Sequence, residues 1–284
     1  MLGDRLQMYA EQLRTDPVGF VIYMCYYACV VLFSLIIHEC AHGYVALRCG
    51  DPTARMLGRL SLNPKNHLDP LGTVFMFVVG LGWARPVPIN PQNFRHPRRD
   101  RLLVSLAGVT VNMAIFLICA ALTIGVNQLI WTQEFHGIIM EEFEGSLEMM
   151  VNQNHGWSLV FDDTDYSSAG HVITEGHRLA ATFPEFIQHG WLLWVQRLLL
   201  MLVQVNLSLA IFNLLPIPPL DGFHVLNDTI LGGRMRMSPK VFRIAQAALL
   251  VLCITGILGK VLFFLIDHVS GFVYGLMLSI AGLG

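Results

Sequence analysis

The chain of 284 residues is 54% hydrophobic and only 13% charged, with a mean hydropathy of +0.56. Soluble domains carry about 25% charged residues, so this composition excludes an ordinary soluble protein and describes a polytopic membrane protein. A net charge of −2 gives no basis for nucleic-acid binding. The six cysteines lie in or beside apolar stretches and form no C-x-x-C pair, which argues against a disulfide framework or a thiolate metal site.

Residues 1–17 place Leu2, Leu6, Tyr9 and Leu13 at helical spacing between charged residues, the pattern of a short helix lying on the membrane surface. Residues 18–37 then run without a formal charge, and about 20 apolar residues suffice to cross the hydrocarbon core as a helix. The first transmembrane helix is therefore expected over 18–48, with His38-Glu39-Cys40-Ala41-His42 near its end. Because this run carries the motif, it does not read as a removed signal peptide.

Ionisable groups are costly inside a membrane and mark function. On a helix of about 3.6 residues per turn, positions 38 and 42 lie one above the other and can share a metal ion, while Glu39 stands about 100° round. This is the H-E-x-x-H pattern of two histidine ligands with a glutamate as general base. Two imidazoles and a carboxylate suit zinc, which in catalytic sites keeps one position open. Cys40 points to another face and is not expected to be a ligand.

Residues 49–101 are rich in Pro, Gly and Arg. Within them Leu71–Gly82 is apolar but too short to span, so a re-entrant or interfacial segment is expected. Gly58–Asn63 and Pro86–Asn90 read as short extended pieces flanking it. His67 and Asp69 are spare candidate ligands, with turn residues before Pro70 as the plainer reading. Residues 102–130 form a second transmembrane helix holding Asn112, which is either interhelical glue or a hydrogen-bond donor to substrate. Residues 131–190 form an acidic loop with scattered histidines, and 191–215 a third span ending in Asn213-Leu214-Leu215-Pro216.

Asp221 follows the proline break. It reads locally either as an Asp-Gly turn or as a third metal ligand. Residues 244–266 are expected as a fourth helix, and 267–284 are too short for a confident further span. Basic residues concentrate in 48–101 and 222–243, acidic ones in 131–188. The positive-inside tendency places the basic loops in the cytoplasm and the acidic loop outside. His38, His42 and Asp221 then come to one depth, toward the cytoplasmic face, which favours the ligand reading.

The paired motifs HECAH at 38–42 and NLLPIPPLDG at 213–222 resemble those of the site-2 protease family of intramembrane zinc metalloproteases. GRLSLNPKNHLDPLG at 58–72, GWARPVPINPQNFRHPRRD at 82–100 and AGVTVN at 107–112 extend the likeness. The resemblance implies one Zn²⁺ per chain held by His38, His42 and Asp221, with Glu39 as catalytic acid/base. It implies Asn112 as a helper at the oxyanion and Asn213 as a substrate contact. It also implies a membrane-associated β-hairpin over 58–90 that holds an unwound substrate as an added strand. Val109 stands where many relatives have proline, and His224 follows the Asp-Gly pair where small or basic residues are common.

The loop at 131–190 is too short for a PDZ domain and no CBS-type domain follows, so a compact member is expected. It would be a single membrane-embedded domain over 1–284, all-α, with four to six transmembrane helices and one polar extracytoplasmic loop. The implied partners are transmembrane protein or peptide substrates and the lipid bilayer, and the expected location is a bacterial or archaeal cell membrane, as a multi-pass protein with its active site toward the cytoplasm. The rival readings are a catalytically silent zinc-binding scaffold and a metal transporter.

Overall fold

The computed structural model describes residues 2–79, 84–130, 132–134, 184–231, 235 and 238–281. The acidic loop, its histidines at 136, 155, 171 and 177, and the amphipathic pattern at 135–150 lie outside the described residues. The elements are α1 (Leu2–Thr15), α2 (Pro17–Arg48), α3 (Thr53–Met56), α4 (Pro70–Val79), α5 (Pro97–Ile130), α6 (Leu192–Leu214), α7 (Asp221–Thr229), α8 (Pro239–Ile254) and α9 (Ile257–Ile280). Four of these are long and apolar enough to cross a membrane: α2, α5, α6 and α9.

Three of the four spans fall where the hydropathy placed them. The fourth does not. The expected helix over 244–266 is divided at Thr255-Gly256, where Gly256 takes a left-handed φ of 77°, a conformation that ends helices and costs glycine least. The spanning helix is Ile257–Ile280, so most of the tail left unassigned by sequence belongs to it.

Among the described residues there is no strand. The expected pairing around the re-entrant segment is reduced to one antiparallel bridge, Leu68 with Ala84, supported by the Arg85 N–H donating to the His67 carbonyl (2.7 Å). Pro86, Pro88 and Pro91 cannot donate to a ladder, which explains why the chain from 85 to 90 stays extended without forming one. α4, ten residues long, begins at Pro70, just before the expected re-entrant stretch, and runs into it as far as Val79. Asp69 is the residue before it, and its carboxylate accepts from the Gly72 N–H (2.8 Å). Asp69 thus fills the turn role, not a ligand role.

The chain divides into two compact units, Met1–Arg5 with Val31–Ile115 and Val205–Phe264, and Leu6–Val30 with Phe116–Gln204 and Leu265–Gly284. In the first, Ala46, Cys49, Phe94 and Val104 form a buried apolar cluster. Asn206 of α6 donates to the Ser34 hydroxyl of α2 (2.9 Å), both fully buried. Such intramembrane bonds contribute about 1 kcal/mol each. In the second unit, Gln196 of α6 donates to Asn127 of α5, and the Arg197 guanidinium lies 5.2 Å from the centre of the Trp194 ring.

Candidate metal centre

The C-terminal half of α2 supplies the first two donors. His38 and His42 are both buried, and their Nε2 atoms lie 3.0 Å apart. The Nδ1 of His42 is 2.7 Å from the carbonyl of Val104 on α5. A carbonyl only accepts, so Nδ1 carries a proton, and in the neutral imidazole Nε2 presents its lone pair. This backbone brace is the arrangement that fixes the tautomer of metal-bound histidines.

Asp221 supplies the third donor. The prolines after Leu215 end α6, and α7 starts at Asp221, so the carboxylate stands in a first helical turn. Its Oδ2 is 3.3 Å from Nε2 of His38 and 3.3 Å from Nε2 of His42. The turn that delivers it is tight: a β-carbon at Gly222 would come within 2.2 Å of the Leu214 carbonyl oxygen and 2.6 Å of that of Leu215. Only glycine fits there.

The donor atoms of these three residues fall within 4.8 Å of one another, and they are the one such group among the described residues. Their separations fit a metal. With zinc–ligand bonds of about 2.0–2.1 Å, the edges of a tetrahedral site are about 3.3 Å. With Nε2 of His42 unprotonated, its lone pair and the buried Oδ2 of Asp221 are two acceptors in contact, which a cation between them satisfies. Space has also been left on the α5 side. A β-carbon at Gly108 would lie 2.4 Å from Cε1 of His38, 2.5 Å from Nε2 of His42 and 2.6 Å from Nε2 of His38. The absence of a side chain there keeps both imidazole nitrogens uncovered.

Asn112 is one turn beyond Gly108 on the same face of α5. It is fully buried, and neither its amide oxygen nor its amide nitrogen has a hydrogen-bond partner among the described residues. Such groups are costly unless a further molecule satisfies them. The Val109 substitution leaves α5 continuous through this stretch. Glu39 is half-buried, and its Oε2 accepts from the backbone N–H of Val87 (2.9 Å). The carboxylate is thereby tied to the extended chain at 85–90.

The remaining candidates stand apart. His67 is buried, but its Nε2 faces the Ser61 carbonyl (2.7 Å) and the Cys40 thiol (3.9 Å). Cys40 is on a different face of α2, as its position predicts. His224 is exposed and packs edge-on against Phe223. Asn213, near the end of α6, turns its amide back to the Leu209 carbonyl (3.0 Å).

Two contributors were not read from sequence. Gly108 stands in AGVTVN, and a small residue in a membrane helix is the signal for close approach of a neighbour. Asp51 lies three residues beyond the end of α2. It is fully buried and accepts from the Asn90 N–H (2.7 Å), the Asn93 side-chain amide (2.7 Å), the Thr53 N–H (3.2 Å) and the Thr53 hydroxyl. Burial alone would raise its carboxyl pKa, but these hydrogen bonds outweigh it and hold the group below its ordinary value. Asp51 fastens the 90–93 stretch to the end of α2.

The model of Peptidase family M50 matches residues 26–256. A curated relative, "Putative zinc metalloprotease YwhC" of Bacillus subtilis, is 31% identical over 207 residues, which is 73% of this chain and 70% of that protein. "Putative zinc metalloprotease Rip2" of Mycobacterium tuberculosis is 34% identical over 96 residues, 32% of this chain and 37% of that protein. No solved structure matches significantly. Zinc is the metal that these donors and these relatives imply. Since the matched region contains both histidines, the glutamate, the buried asparagine and the aspartate after the proline break, the chain belongs to Peptidase family M50, the site-2 protease family, and is a zinc metalloprotease of that family.

Proposed function

We propose that the protein is an intramembrane endopeptidase that hydrolyses peptide bonds in or near transmembrane segments of membrane-protein substrates. The observation that supports this best is the convergence of Asp221, from α7, on His38 and His42, which with Glu39 lie on a helix apolar enough to cross a bilayer. His38, His42 and Asp221 hold the metal. When bound, zinc supplies the power to polarise a peptide carbonyl and to acidify a water. Glu39 takes the proton of the attacking water and delivers it to the leaving amine. The unpartnered amide of Asn112 donates to the carbonyl oxygen as negative charge builds on it. Asn213 contacts the substrate at the end of α6.

A substrate helix hides its peptide bonds in its own hydrogen bonds, so it is cut only after local unwinding. The extended chain at 85–90, which also holds Glu39, is the surface against which the unwound piece lies. Arg95, Arg98 and Arg99 stand at the start of α5, the end that carries Gly108, and the positive-inside tendency puts this end on the cytoplasmic side.

The test uses purified protein in liposomes with a reporter whose single transmembrane segment carries a label on each side. Wild type is expected to bind one zinc and cut the reporter. Asp221→Ala is expected to lose zinc, and Glu39→Gln to keep zinc and lose cleavage. Equal cleavage by Glu39→Gln would overturn the mechanism. Zinc binding without cleavage of any transmembrane reporter would favour a zinc-binding scaffold, and zinc flux across the bilayer a transporter.

A further inference from the structure

Asp221 is delivered by a helix of nine residues whose first residue is the ligand itself. The first turn of this helix is fixed by the close approach of Gly222 to the end of α6 and by the buried Phe223, and the separations at the metal centre tolerate little movement. The far end of α7 shows what steadies it. Asp228 accepts a hydrogen bond and ion pair from Nε of Arg101 at 3.0 Å, and the Asp228 side chain is 94% buried, with 6% exposed.

The spacing on the two helices is matched. Asp228 is seven residues after Asp221, and Arg101 is seven residues before Gly108. Seven residues are about two turns, so each pair shares a helix face about 10 Å apart. At one end Asp221 and the open space at Gly108 meet the same two imidazole nitrogens. At the other end Asp228 meets Arg101. α7 and α5 therefore run antiparallel in register, linked at one end through the two imidazoles of α2 and at the other by the Arg101–Asp228 pair. Arg101 is itself in the first turns of α5, which are anchored by Pro97 at the helix start and by the Asp100 carboxylate accepting from the His96 N–H (2.8 Å).

We propose that Arg101 and Asp228 are positioning residues for the metal: their ion pair locks α7 at the angle that presents Asp221 to His38 and His42. The inference rests on the reading of Asp221 as a ligand. A nearly buried carboxylate paired with a half-exposed arginine is worth little as general stability. Its value is geometric, because a planar guanidinium fixes direction as well as distance.

The test is the zinc dissociation constant, read by competition with a chelator of known affinity on the full chain in detergent, with helix content checked by circular dichroism. Asp228→Asn and Arg101→Gln are each expected to raise it about tenfold, the size seen when groups orienting a ligand are removed. The double variant is expected to do no worse than either single one, because the two act as one device. Arg101→Lys is expected to fall between Arg101→Gln and wild type. Zinc affinity within twofold of wild type in both folded single variants would overturn the proposal, as would effects that multiply in the double variant.

Asp221→Ala run beside them separates the two levels. If it leaves zinc affinity unchanged, the ligand reading itself fails. If it weakens zinc while Asp228→Asn does not, only the positioning role fails.

Discussion

The carboxylate of Glu39 accepts a hydrogen bond from the backbone N–H of Val87 at 2.9 Å, so the expected base and the extended chain beside it are one mechanical unit. Glutamine can accept the same bond through its amide oxygen, while alanine cannot. Glu39→Gln and Glu39→Ala are both expected to lose about 10²–10⁴-fold in cleavage rate. They are expected to differ in amide hydrogen exchange, with faster exchange at residues 85–90 in Glu39→Ala alone. Faster exchange in both, or in neither, would show that this bond does not hold the segment.

Gly108 and Gly125 lie on the same helix and make a controlled pair. A methyl at position 108 would collide with both imidazoles, whereas one at position 125 meets nothing within 4 Å. Gly108→Ala is expected to lower zinc content at least tenfold, by elemental analysis of the purified protein. Gly125→Ala is expected to keep its zinc and to gain up to about 1 kcal/mol from helix propensity. Full zinc in Gly108→Ala would mean that the opening on α5 is not needed for the metal.

Asn112 separates function from stability. Its side chain is fully buried and unpartnered among the described residues, so replacing it with leucine removes a desolvation cost without removing a bond. Asn112→Leu is expected to melt no lower than wild type in detergent. Its cleavage rate should fall about 10²-fold, the loss seen when one oxyanion donor is removed. A drop in melting temperature with undiminished cleavage would assign Asn112 to helix packing instead.

Asp51 gives a pH dependence with a definite sign. Its carboxyl is held below the ordinary value of 3.8 by the donors from Thr53, Asn90 and Asn93, against the opposing effect of burial. Its contribution to stability is therefore complete above about pH 4 and is lost as pH falls through the folded-state value. Thermal melts of wild type should show that acid limb, and Asp51→Asn should flatten it. Asp51→Ala, which strands several donors, is expected to cost about 2–4 kcal/mol at neutral pH.

What the sequence disclosed and what it withheld divide along physical lines. HECAH was legible because two histidines four apart on an otherwise uncharged run have no inexpensive structural reading. Asp221 was ambiguous locally, between an Asp-Gly turn and a ligand, and the alternation of basic and acidic loops favoured the ligand reading by bringing it to the depth of the two histidines. The boundary of the last span was not. Residues 244–266 are apolar on both sides of Gly256, and one glycine in such a run is a weak breaker until its φ is known. The β-hairpin expected over 58–90 is not formed among the described residues, since prolines limit its pairing to the Leu68–Ala84 bridge. Gly108, Asp51 and the Arg101–Asp228 pair escaped because each acts on residues distant in the chain, and no local period announces them.

The matched intervals on α5 and α7 carry a consequence for how this protein can vary. A single residue inserted between Asp221 and Asp228, or between Arg101 and Gly108, would rotate one end of its helix by about 100° relative to the other. Asp221 and Asp228, or Arg101 and Gly108, would then face different neighbours. Length changes can be absorbed after Thr229, where α7 has ended, but the two seven-residue intervals are a fixed gauge. Point substitutions can drift within them; insertions and deletions cannot.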